Sequence, residues 1–153
     1  MTLATCLRPE LMAVDICAAS RKRALEVVSA HLANALGGDT TADAIFDGLL
    51  ARERLGSTGL GQGLAFPHCR LATLPQPAVG FFRLQAPVDF ESMDGAPVDL
   101  LAVLLVPESA TDAHLKLLGA LAQLLEPEAH RAALRRASSA STLAEVLTGL
   151  CPR

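Results

Sequence analysis

Hydrophobic and polar residues follow two different periods along this chain, one typical of helices and one typical of strands. The first helical stretch has apolar residues three or four positions apart, at Leu25, Val28, Leu32 and Leu36. Ser20 precedes this repeat in the position of an N-cap, and Gly37 follows it as a stop signal. The pattern therefore predicts an amphipathic helix between Ser20 and Gly37.

A second helix is predicted after Thr40 or Thr41, and Gly56 is its C-terminal stop. Its predicted apolar face consists of Ala44, Ile45, Leu49 and Leu50. Arg52 and Arg54 lie in its last turn, where positive side chains complement the helix dipole. This structural role explains both arginines unless one of them also holds a ligand.

Three more helices are predicted in the C-terminal part of the chain. The first begins after Thr111 or Asp112 and breaks at residues 126–127, where a proline follows a glutamate. Two short helices follow it, at Glu128–Arg136 and Thr142–Leu150.

Apolar runs with the length of strands lie between the predicted helices. They are Leu11–Ile16, Leu64–Phe66, Ala78–Leu84 and Val98–Val106. The first suits an edge strand, whereas the last is almost continuously apolar, which predicts a central strand covered on both faces. Because strands and helices are interleaved, the chain is predicted to form an α/β sandwich.

The composition predicts a single globular domain that covers residues 1–153. Hydrophobic residues make up 51% of the chain and charged residues 19%, which is enough apolar material for a packed core. A net charge of −3 and an aromatic content of 3% argue against nucleic-acid binding. No apolar stretch reaches membrane-spanning length and no secretory segment is evident, so a cytoplasmic protein without membrane insertion is predicted.

The cysteines indicate neither a zinc site nor a redox motif. They are Cys6, Cys17, Cys69 and Cys151, and none of them forms a C-x-x-C pair. In a reducing compartment they are expected to be free thiols. Cys69 is expected to be buried as a small apolar residue.

The candidate site lies between Leu55 and Leu71. A glycine-rich loop precedes the short run Leu64–Phe66, and His68 stands at the exit of that run. The glycines of the loop are Gly56, Gly59, Gly61 and Gly63. Such loops can present backbone N–H groups to an anion, and a neutral histidine can act as a nucleophile, a base or a metal ligand. The same glycines are typical of a simple turn, so the spacing alone leaves the chemistry open.

The residues of this stretch nevertheless resemble a known signature. Residues 52–68, with the sequence R-E-R-L-G-S-T-G-L-G-Q-G-L-A-F-P-H, closely resemble the phosphohistidine signature of the enzyme IIA proteins of the bacterial phosphotransferase system. The resemblance is to the fructose/mannitol superfamily, which includes the nitrogen-regulatory type. Residues 114–118, H-L-K-L-L, resemble a second segment of the family, and residues 87–100 resemble the connection into its buried strand. The three segments occur in the family's order.

The resemblance implies a fold and a set of site residues. The implied fold is a three-layer α/β/α sandwich whose mixed central sheet is flanked by helices. His68 is implied as the acceptor of a phosphoryl group on its tele nitrogen, with Arg52 as an electrostatic clamp and His114 as a group that orients the phosphoryl oxygens. Phosphate-binding groups are implied in the loop before the histidine, at Thr58, Gly59, Gly61 and Gly63. Neither a cofactor nor a metal ion is implied.

The implied partners are proteins, and the implied role is that of a phosphotransferase component. An HPr-like phosphocarrier gives the phosphoryl group, and a regulated protein or a IIB component receives or senses it. A nitrogen-type regulator is the leading interpretation, and a sugar-specific enzyme IIA is the alternative, since both use the same residues. Leu60, Leu64 and Phe66 are candidates to flank the docking surface, although Leu64 and Phe66 suit the core equally well.

Other function classes fit the residues less well. The chain has no P-loop, no dinucleotide fingerprint and no hydrolase set of nucleophile, base and acid. No acidic or cysteine ligand accompanies the site histidines by motif. His31 is predicted to be structural or solvent-facing. His130 is predicted to be solvated, on a polar helix face that it shares with Arg131, Arg135 and Arg136. A binding module whose His68 is never phosphorylated is a different class of hypothesis, and the joint presence of the site residues argues against it.

Three positions depart from the family's usual pattern. Phe66 stands where a branched aliphatic residue is usual, Gln62 where asparagine is commoner, and Cys69 where glycine or alanine commonly follows the histidine. None of these departures removes a proposed catalytic group. Phe66 and Cys69 are expected to narrow the pocket or the docking surface.

Overall fold

The computed structural model describes residues 2–152, so the two outermost residues of the predicted domain lie outside the described residues. The helices in this part of the chain are α1 (Leu3–Cys6), α2 (Arg21–Leu36), α3 (Ala42–Leu55), α4 (Asp112–Leu125), α5 (Glu128–Arg136) and α6 (Ala140–Leu150). The strands are β1 (Leu7–Ile16), β2 (Gly59–Gly61), β3 (Leu64–Ala65), β4 (His68–Leu71), β5 (Ala78–Val88) and β6 (Val98–Pro107).

The strands form one mixed sheet in the order β1-β5-β6-β3-β2, with β4 also paired to β6. β1 runs parallel to β5, whereas β5 runs antiparallel to β6. β3 and β4 both run parallel to β6, one after the other, with Leu64 opposite Leu100 and His68 opposite Leu104. The predicted α/β fold with a mixed sheet is confirmed, and β1 lies at the edge as predicted.

Helices cover both faces of this sheet, and each face has its own apolar core. Along β6, Leu100 and Leu104 pack with residues of α4, α5 and α6, whereas Leu101 and Leu105 pack with residues of α2 and α3. Apart from the partly exposed Asp99, the whole of β6 is buried. A strand buried on both faces needs a nearly continuous apolar run, so the predicted central strand is confirmed.

The helix caps explain where the helices begin. The Ser20 side chain accepts a hydrogen bond from the backbone N–H three residues later at 3.1 Å. Thr41, rather than Thr40, does the same for α3 at 3.1 Å, and Thr111 is the N-cap residue of α4. The Ser20 and Thr41 side chains give partners to N–H groups that a helix N-terminus otherwise leaves unpaired.

A few elements differ from the predictions. The short helix α1 is not predicted, because four residues are too few to show a period. Ala44 was expected on the apolar face of α3 but is exposed, whereas Ile45 and Leu49 are fully buried. α6 begins two residues earlier than predicted, because Ser139 accepts the capping hydrogen bond.

Two histidines outside the predicted site hold the fold together. His31 donates from Nε2 to the carbonyl oxygen of Glu10 at 3.0 Å, and its ring meets Phe82 edge-on with centroids 5.4 Å apart. His130 was expected to be solvated, but its Nδ1 donates to the carbonyl oxygen of Leu124 at 2.5 Å. His130 therefore links α5 to the end of α4, where carbonyl groups lack helical partners.

Candidate functional site

Arg52 and His68 meet where the end of α3 lies against the start of β4. Arg52 donates from Nε to Nε2 of His68 at 3.3 Å and from Nη1 to the carbonyl oxygen of Gly56 at 2.8 Å. The second bond gives a partner to a carbonyl group at the helix end and fixes the guanidinium. The structure therefore brings together the two residues that the sequence indicates as clamp and phosphoryl acceptor.

The hydrogen bonds of His68 determine which ring nitrogen carries its proton. A carbonyl oxygen can only accept a hydrogen bond, and an arginine N–H can only donate one. Nδ1 of His68 lies 2.8 Å from the carbonyl oxygen of Phe66, so Nδ1 carries the hydrogen. Nε2 accepts from Arg52. The neutral imidazole thus presents its electron pair at Nε2.

His68 occupies the first position of a strand, not the exit of the preceding one. β3 ends at Ala65, and Pro67 has no N–H with which to continue the pairing. The carbonyl oxygen of Pro67 still accepts from the Leu104 N–H at 3.0 Å. Pairing with β6 resumes at His68, so the backbone of the half-buried histidine is fixed against the central strand.

Thr58 is buried and already bonded. Its N–H donates to Oε1 of Glu53 at 3.1 Å, and its hydroxyl donates to the same oxygen. Because a hydroxyl has only one hydrogen to donate, the Thr58 hydroxyl is not free for a phosphoryl oxygen in this structure. The predicted phosphate-binding role of Thr58 stays a prediction, and this contact counts against it.

The glycines at positions 61 and 63 form a tight hairpin between β2 and β3. Gly61 pairs with Leu64, and the two residues between them, Gln62 and Gly63, have φ angles of 58° and 80°. Positive φ at both positions is the requirement of a type I′ turn. The carboxylate of Asp94 accepts the Gln62 N–H at 2.8 Å, and this backbone hydrogen bond lowers the pKa of Asp94.

The hairpin turn lies far from the histidine. Leu64 is opposite Leu100 and His68 is opposite Leu104, so the two are about 13 Å apart at about 3.3 Å per strand residue. Gly59, which pairs with Ala65, is the hairpin glycine nearest to the histidine. Turn geometry thus explains the other two glycines, and the structure does not bring them to the ring.

His114 lies in the first turn of α4, the helix that follows β6. Its Nδ1 accepts the backbone N–H of Thr111 at 3.2 Å. In the neutral imidazole the hydrogen is therefore on Nε2, which makes Nε2 a donor. No hydrogen bond joins His114 to His68 within residues 2–152, and His114 is half-buried.

Comparison with known proteins identifies the family. The sequence profile described as "Phosphoenolpyruvate-dependent sugar phosphotransferase system, EIIA 2" matches residues 5–149. The chain belongs to this EIIA family. The family membership predicted from the signature around His68 is thereby confirmed.

Individual relatives of this EIIA chain include regulatory and sugar-specific proteins. It is 46% identical over 141 residues to the nitrogen regulatory protein of Pseudomonas aeruginosa, covering 92% of this chain and 91% of that protein. It is 36% identical over 138 residues to the fructose-specific EIIA component of Haloferax volcanii, covering 90% and 89%. The crystal structure of the nitrogen regulatory protein IIA-Ntr of Neisseria meningitidis superposes with a TM-score of 0.86 at 38% identity, covering 95% of this chain and 98% of that one.

Large exposed apolar side chains are a feature of this EIIA chain that the sequence indicated only at Leu60. They are Leu55, Leu60, Met93 and Leu115. Leu55 ends α3 shortly after Arg52, and Leu115 follows His114. Of the predicted docking residues only Leu60 is exposed, because Leu64 and Phe66 are buried in the core. Met93 belongs to no apolar repeat, and Leu115 is an exposed member of the apolar repeat of α4, so hydrophobic spacing does not distinguish these residues from buried ones.

The described part of the chain, residues 2–152, forms neither a candidate metal cluster nor a membrane-spanning helix. Within residues 2–152 no three His, Cys, Asp or Glu side chains are grouped so as to hold a metal ion. None of the helices in this part of the chain combines the length and hydrophobicity needed to span a bilayer.

The close approach of α3 to β4 depends on Gly48. A Cβ atom at this position would lie 2.8 Å from the Cys69 sulfur and 3.1 Å from the Cys69 Cβ. The Cys69 thiol is held in an apolar contact, and burial raises its pKa to about 12. Gly48 lies one helical turn before Arg52, so the spacing of α3 and β4 also sets the reach of Arg52 to His68.

We expect Gly48→Ala to destabilise the protein by about 1 kcal/mol, because crowding against Cys69 exceeds the helix-propensity gain of alanine. In a Cys69→Gly background the same substitution should instead be neutral or stabilising. Urea denaturation of the two single variants and the double variant measures this coupling. Equal effects of Gly48→Ala in both backgrounds would show that Cys69 is not the obstacle.

The second departure from the family pattern predicts a gain in stability. Gln62 has a φ of 58°, a conformation that asparagine adopts more readily than glutamine. We expect Gln62→Asn to stabilise the protein by about 0.5 kcal/mol, measured as a higher midpoint of thermal unfolding. Gln76→Asn, at an exposed loop residue without positive φ, is the matched control. An equal shift in both variants would contradict this interpretation of the turn.

Proposed function

We propose that this EIIA protein accepts a phosphoryl group on Nε2 of His68 from a phosphohistidine of an HPr-like carrier, and later passes it on. The observation that carries the proposal is the tautomer of the ring. Nδ1–H is bonded to the Phe66 carbonyl oxygen, so the electron pair that can attack phosphorus is on Nε2. Family membership supports the same role for this histidine.

The transfer requires positioning more than covalent chemistry. A bond forms between Nε2 of His68 and phosphorus, the bond between phosphorus and the donor's imidazole nitrogen breaks, and its electron pair returns to that imidazole. For this to occur the Nε–H of Arg52 must leave the electron pair of His68. The guanidinium then donates to the phosphoryl oxygens, for which its fork of N–H groups is suited.

His114 complements His68 because the two rings have opposite tautomers. The Nδ1 of His114 is occupied by the Thr111 N–H, which leaves Nε2–H as a donor for a phosphoryl oxygen. A preorganised donor of this kind stabilises charge without having to reorient during the reaction. In this proposal Arg52 and His114 bind the oxygens, and His68 alone forms the covalent bond.

We infer further that the protein regulates partner proteins according to its phosphorylation state. The nitrogen regulatory proteins of P. aeruginosa and N. meningitidis support this inference, since both are more similar to this chain than the fructose-specific relative is. The alternative is a sugar-specific EIIA that passes the group to a IIB component. The fructose-specific relative supports that alternative, because its similarity extends over most of both chains.

Intact-mass spectrometry tests the carrier role. The protein is incubated with phosphoenolpyruvate, enzyme I and an HPr-like carrier, beside His68→Gln and His31→Gln variants. We expect one acid-labile phosphoryl group on wild type and on His31→Gln, and none on His68→Gln. Absence of a phosphoryl group on wild type with carriers that phosphorylate a control EIIA would overturn the proposal.

A second step separates the two roles. The phosphorylated protein is mixed with fructose-type and mannitol-type IIB components, and the fraction of the protein that keeps its phosphoryl group on His68 is followed over time. Retention of the phosphoryl group for seconds to minutes favours regulation. Rapid transfer to a IIB component would establish the sugar-specific alternative.

A further inference from the structure

We propose that Glu53, the residue after Arg52, is a positioning residue for His68 that acts through Thr58 and Phe66. The inference rests on the proposed function for its kinetic consequence, whereas its structural consequence can be measured without any phosphorylation. Glu53 is an ionisable side chain that the transfer chemistry itself does not use.

Glu53 is a buried carboxylate with a side chain only 1% exposed. Burying such a group is costly unless charged or hydrogen-bonding partners surround it. Arg21 of α2 supplies an ion pair at 3.4 Å to Oε2. Thr58 supplies its N–H, at 3.1 Å to Oε1 and 3.3 Å to Oε2, and its hydroxyl. The carboxylate thus fixes the segment that leads into β2.

The segment at Thr58 is connected to His68 through Phe66. The carbonyl oxygen of Thr58 accepts the Phe66 N–H at 3.0 Å, and the carbonyl oxygen of Phe66 accepts the Nδ1–H of His68 at 2.8 Å. A continuous path of hydrogen bonds therefore runs from Glu53 to the ring. The same short part of α3 therefore acts on both ring nitrogens of His68. Arg52 contacts Nε2, and Glu53 supports the Phe66 carbonyl oxygen that accepts the hydrogen of Nδ1.

The expected consequence is control of the tautomer. The Phe66 carbonyl oxygen keeps the hydrogen on Nδ1 and the electron pair on Nε2 only while it stays in place. If the Thr58 segment moves, the Nε2–H tautomer becomes populated, and that tautomer has no electron pair at Nε2 for attack on phosphorus. Displacements of about 1 Å at reacting groups can cost about a hundredfold in rate.

The test uses two variants that break the hydrogen-bond path, one at Thr58 and one at Glu53, and a third variant that keeps it. Thr58→Val removes the hydroxyl bond and keeps the shape, Thr58→Ser keeps the hydroxyl, and Glu53→Met removes the carboxylate. Leu147→Ala, on the buried face of α6, is the control for a general loss of stability. Long-range ¹H–¹⁵N spectra report the tautomer of His68, and rapid-quench kinetics with a phosphorylated carrier report the rate.

We expect a loss of the pure Nδ1–H tautomer and a roughly tenfold slower transfer in Thr58→Val, with a larger loss of about a hundredfold in Glu53→Met. Thr58→Ser and Leu147→Ala should keep the wild-type tautomer. The double variant that combines Glu53→Met with Thr58→Val should transfer the phosphoryl group no more slowly than Glu53→Met alone, because both changes break the same path.

The inference is overturned if folded Thr58→Val keeps both the Nδ1–H tautomer and the wild-type rate. Thr58→Val decides the matter even if Glu53→Met does not fold. If wild type is never phosphorylated, the proposed function fails, while the tautomer spectra of the same variants still support or refute the positioning role.

Discussion

Replacing Arg52 by methionine is expected to slow phosphoryl transfer onto His68 by about a hundred- to a thousandfold, the usual cost of losing one preorganised donor to a developing charge. Arg52 already contacts Nε2 of His68 at 3.3 Å and is fixed by the Gly56 carbonyl group at 2.8 Å. Its guanidinium therefore needs little movement to reach a phosphoryl group on that nitrogen. Single-turnover rapid-quench kinetics with a phosphorylated HPr-like carrier measures the effect.

Arg54→Met provides the matched control. It removes the same charge from the same helical turn, but Arg54 is exposed, so it should slow transfer by less than about threefold through weaker long-range electrostatics. Arg52→Lys should fall between the two, because it keeps the charge and loses the fork of donors. Equal rates for the Arg52→Met and Arg54→Met variants would contradict a clamp at Arg52.

Replacing Arg83 by methionine is expected to lower the free energy of unfolding by about 3 kcal/mol, because hydrogen bonds from charged groups contribute about 1.5–3 kcal/mol each and are not additive. Arg83 extends from β5, and its Nη1 donates to the carbonyl oxygens of Leu134 and Arg135, both at 3.0 Å, and to that of Ala137. Its side chain is only 14% exposed. These bonds join the end of α5 to the sheet. Urea denaturation monitored by circular dichroism measures the change.

Arg136→Met is the control for this variant, because it removes a charge from the same helix end at an exposed position. Its cost should be below about 1 kcal/mol, the range of an exposed interaction with the helix dipole. Arg83→Lys should recover part of the loss, since it keeps the positive charge but its shorter side chain brings the ammonium nitrogen less close to the three carbonyl oxygens than Nη1. A loss of under 1 kcal/mol in Arg83→Met would show that these carbonyl groups are equally well satisfied by water.

Local patterns predicted most of the fold. The apolar run of β6, the repeat in α2 and the caps Ser20 and Thr111 are each encoded within about one element, so the sequence reveals them directly. The pairing of strands depends on contacts between distant residues. The parallel pairing of β4 with β6, which fixes His68, has no local signal in the four residues of β4.

The site was predicted only in part, because some of its residues have a recognisable local sequence and others depend on contacts between distant residues. Family resemblance selected Arg52 and His68, and the structure places them in contact. The glycines illustrate the opposite case, because a sequence pattern cannot distinguish a type I′ turn from an anion cradle. Gly61 and Gly63 satisfy the turn. The buried Glu53 was overlooked, since glutamate next to arginine near a helix end is typical of a solvated surface.

Buried charged side chains are the residues that the sequence predicts least well. Arg131 was expected on a polar helix face, but it is only 6% exposed. Its Nη1 donates to the carbonyl oxygens of Leu125 and Glu126 at the end of α4. Arginine is rarely buried unless its donors are paired, and the carbonyl groups that pair with it are provided by the chain's own turns. No composition or spacing reveals such a partner.

The most direct test of the central claim is to locate the phosphoryl group on a ring nitrogen. Uniformly ¹⁵N-labelled protein is phosphorylated through enzyme I and an HPr-like carrier, and its long-range ¹H–¹⁵N spectrum is compared with that of the unmodified protein. The structure predicts a phosphoryl group on Nε2 of His68 with hydrogen retained on Nδ1. A phosphoryl group on Nδ1 of His68, or on His114 instead, would contradict the account.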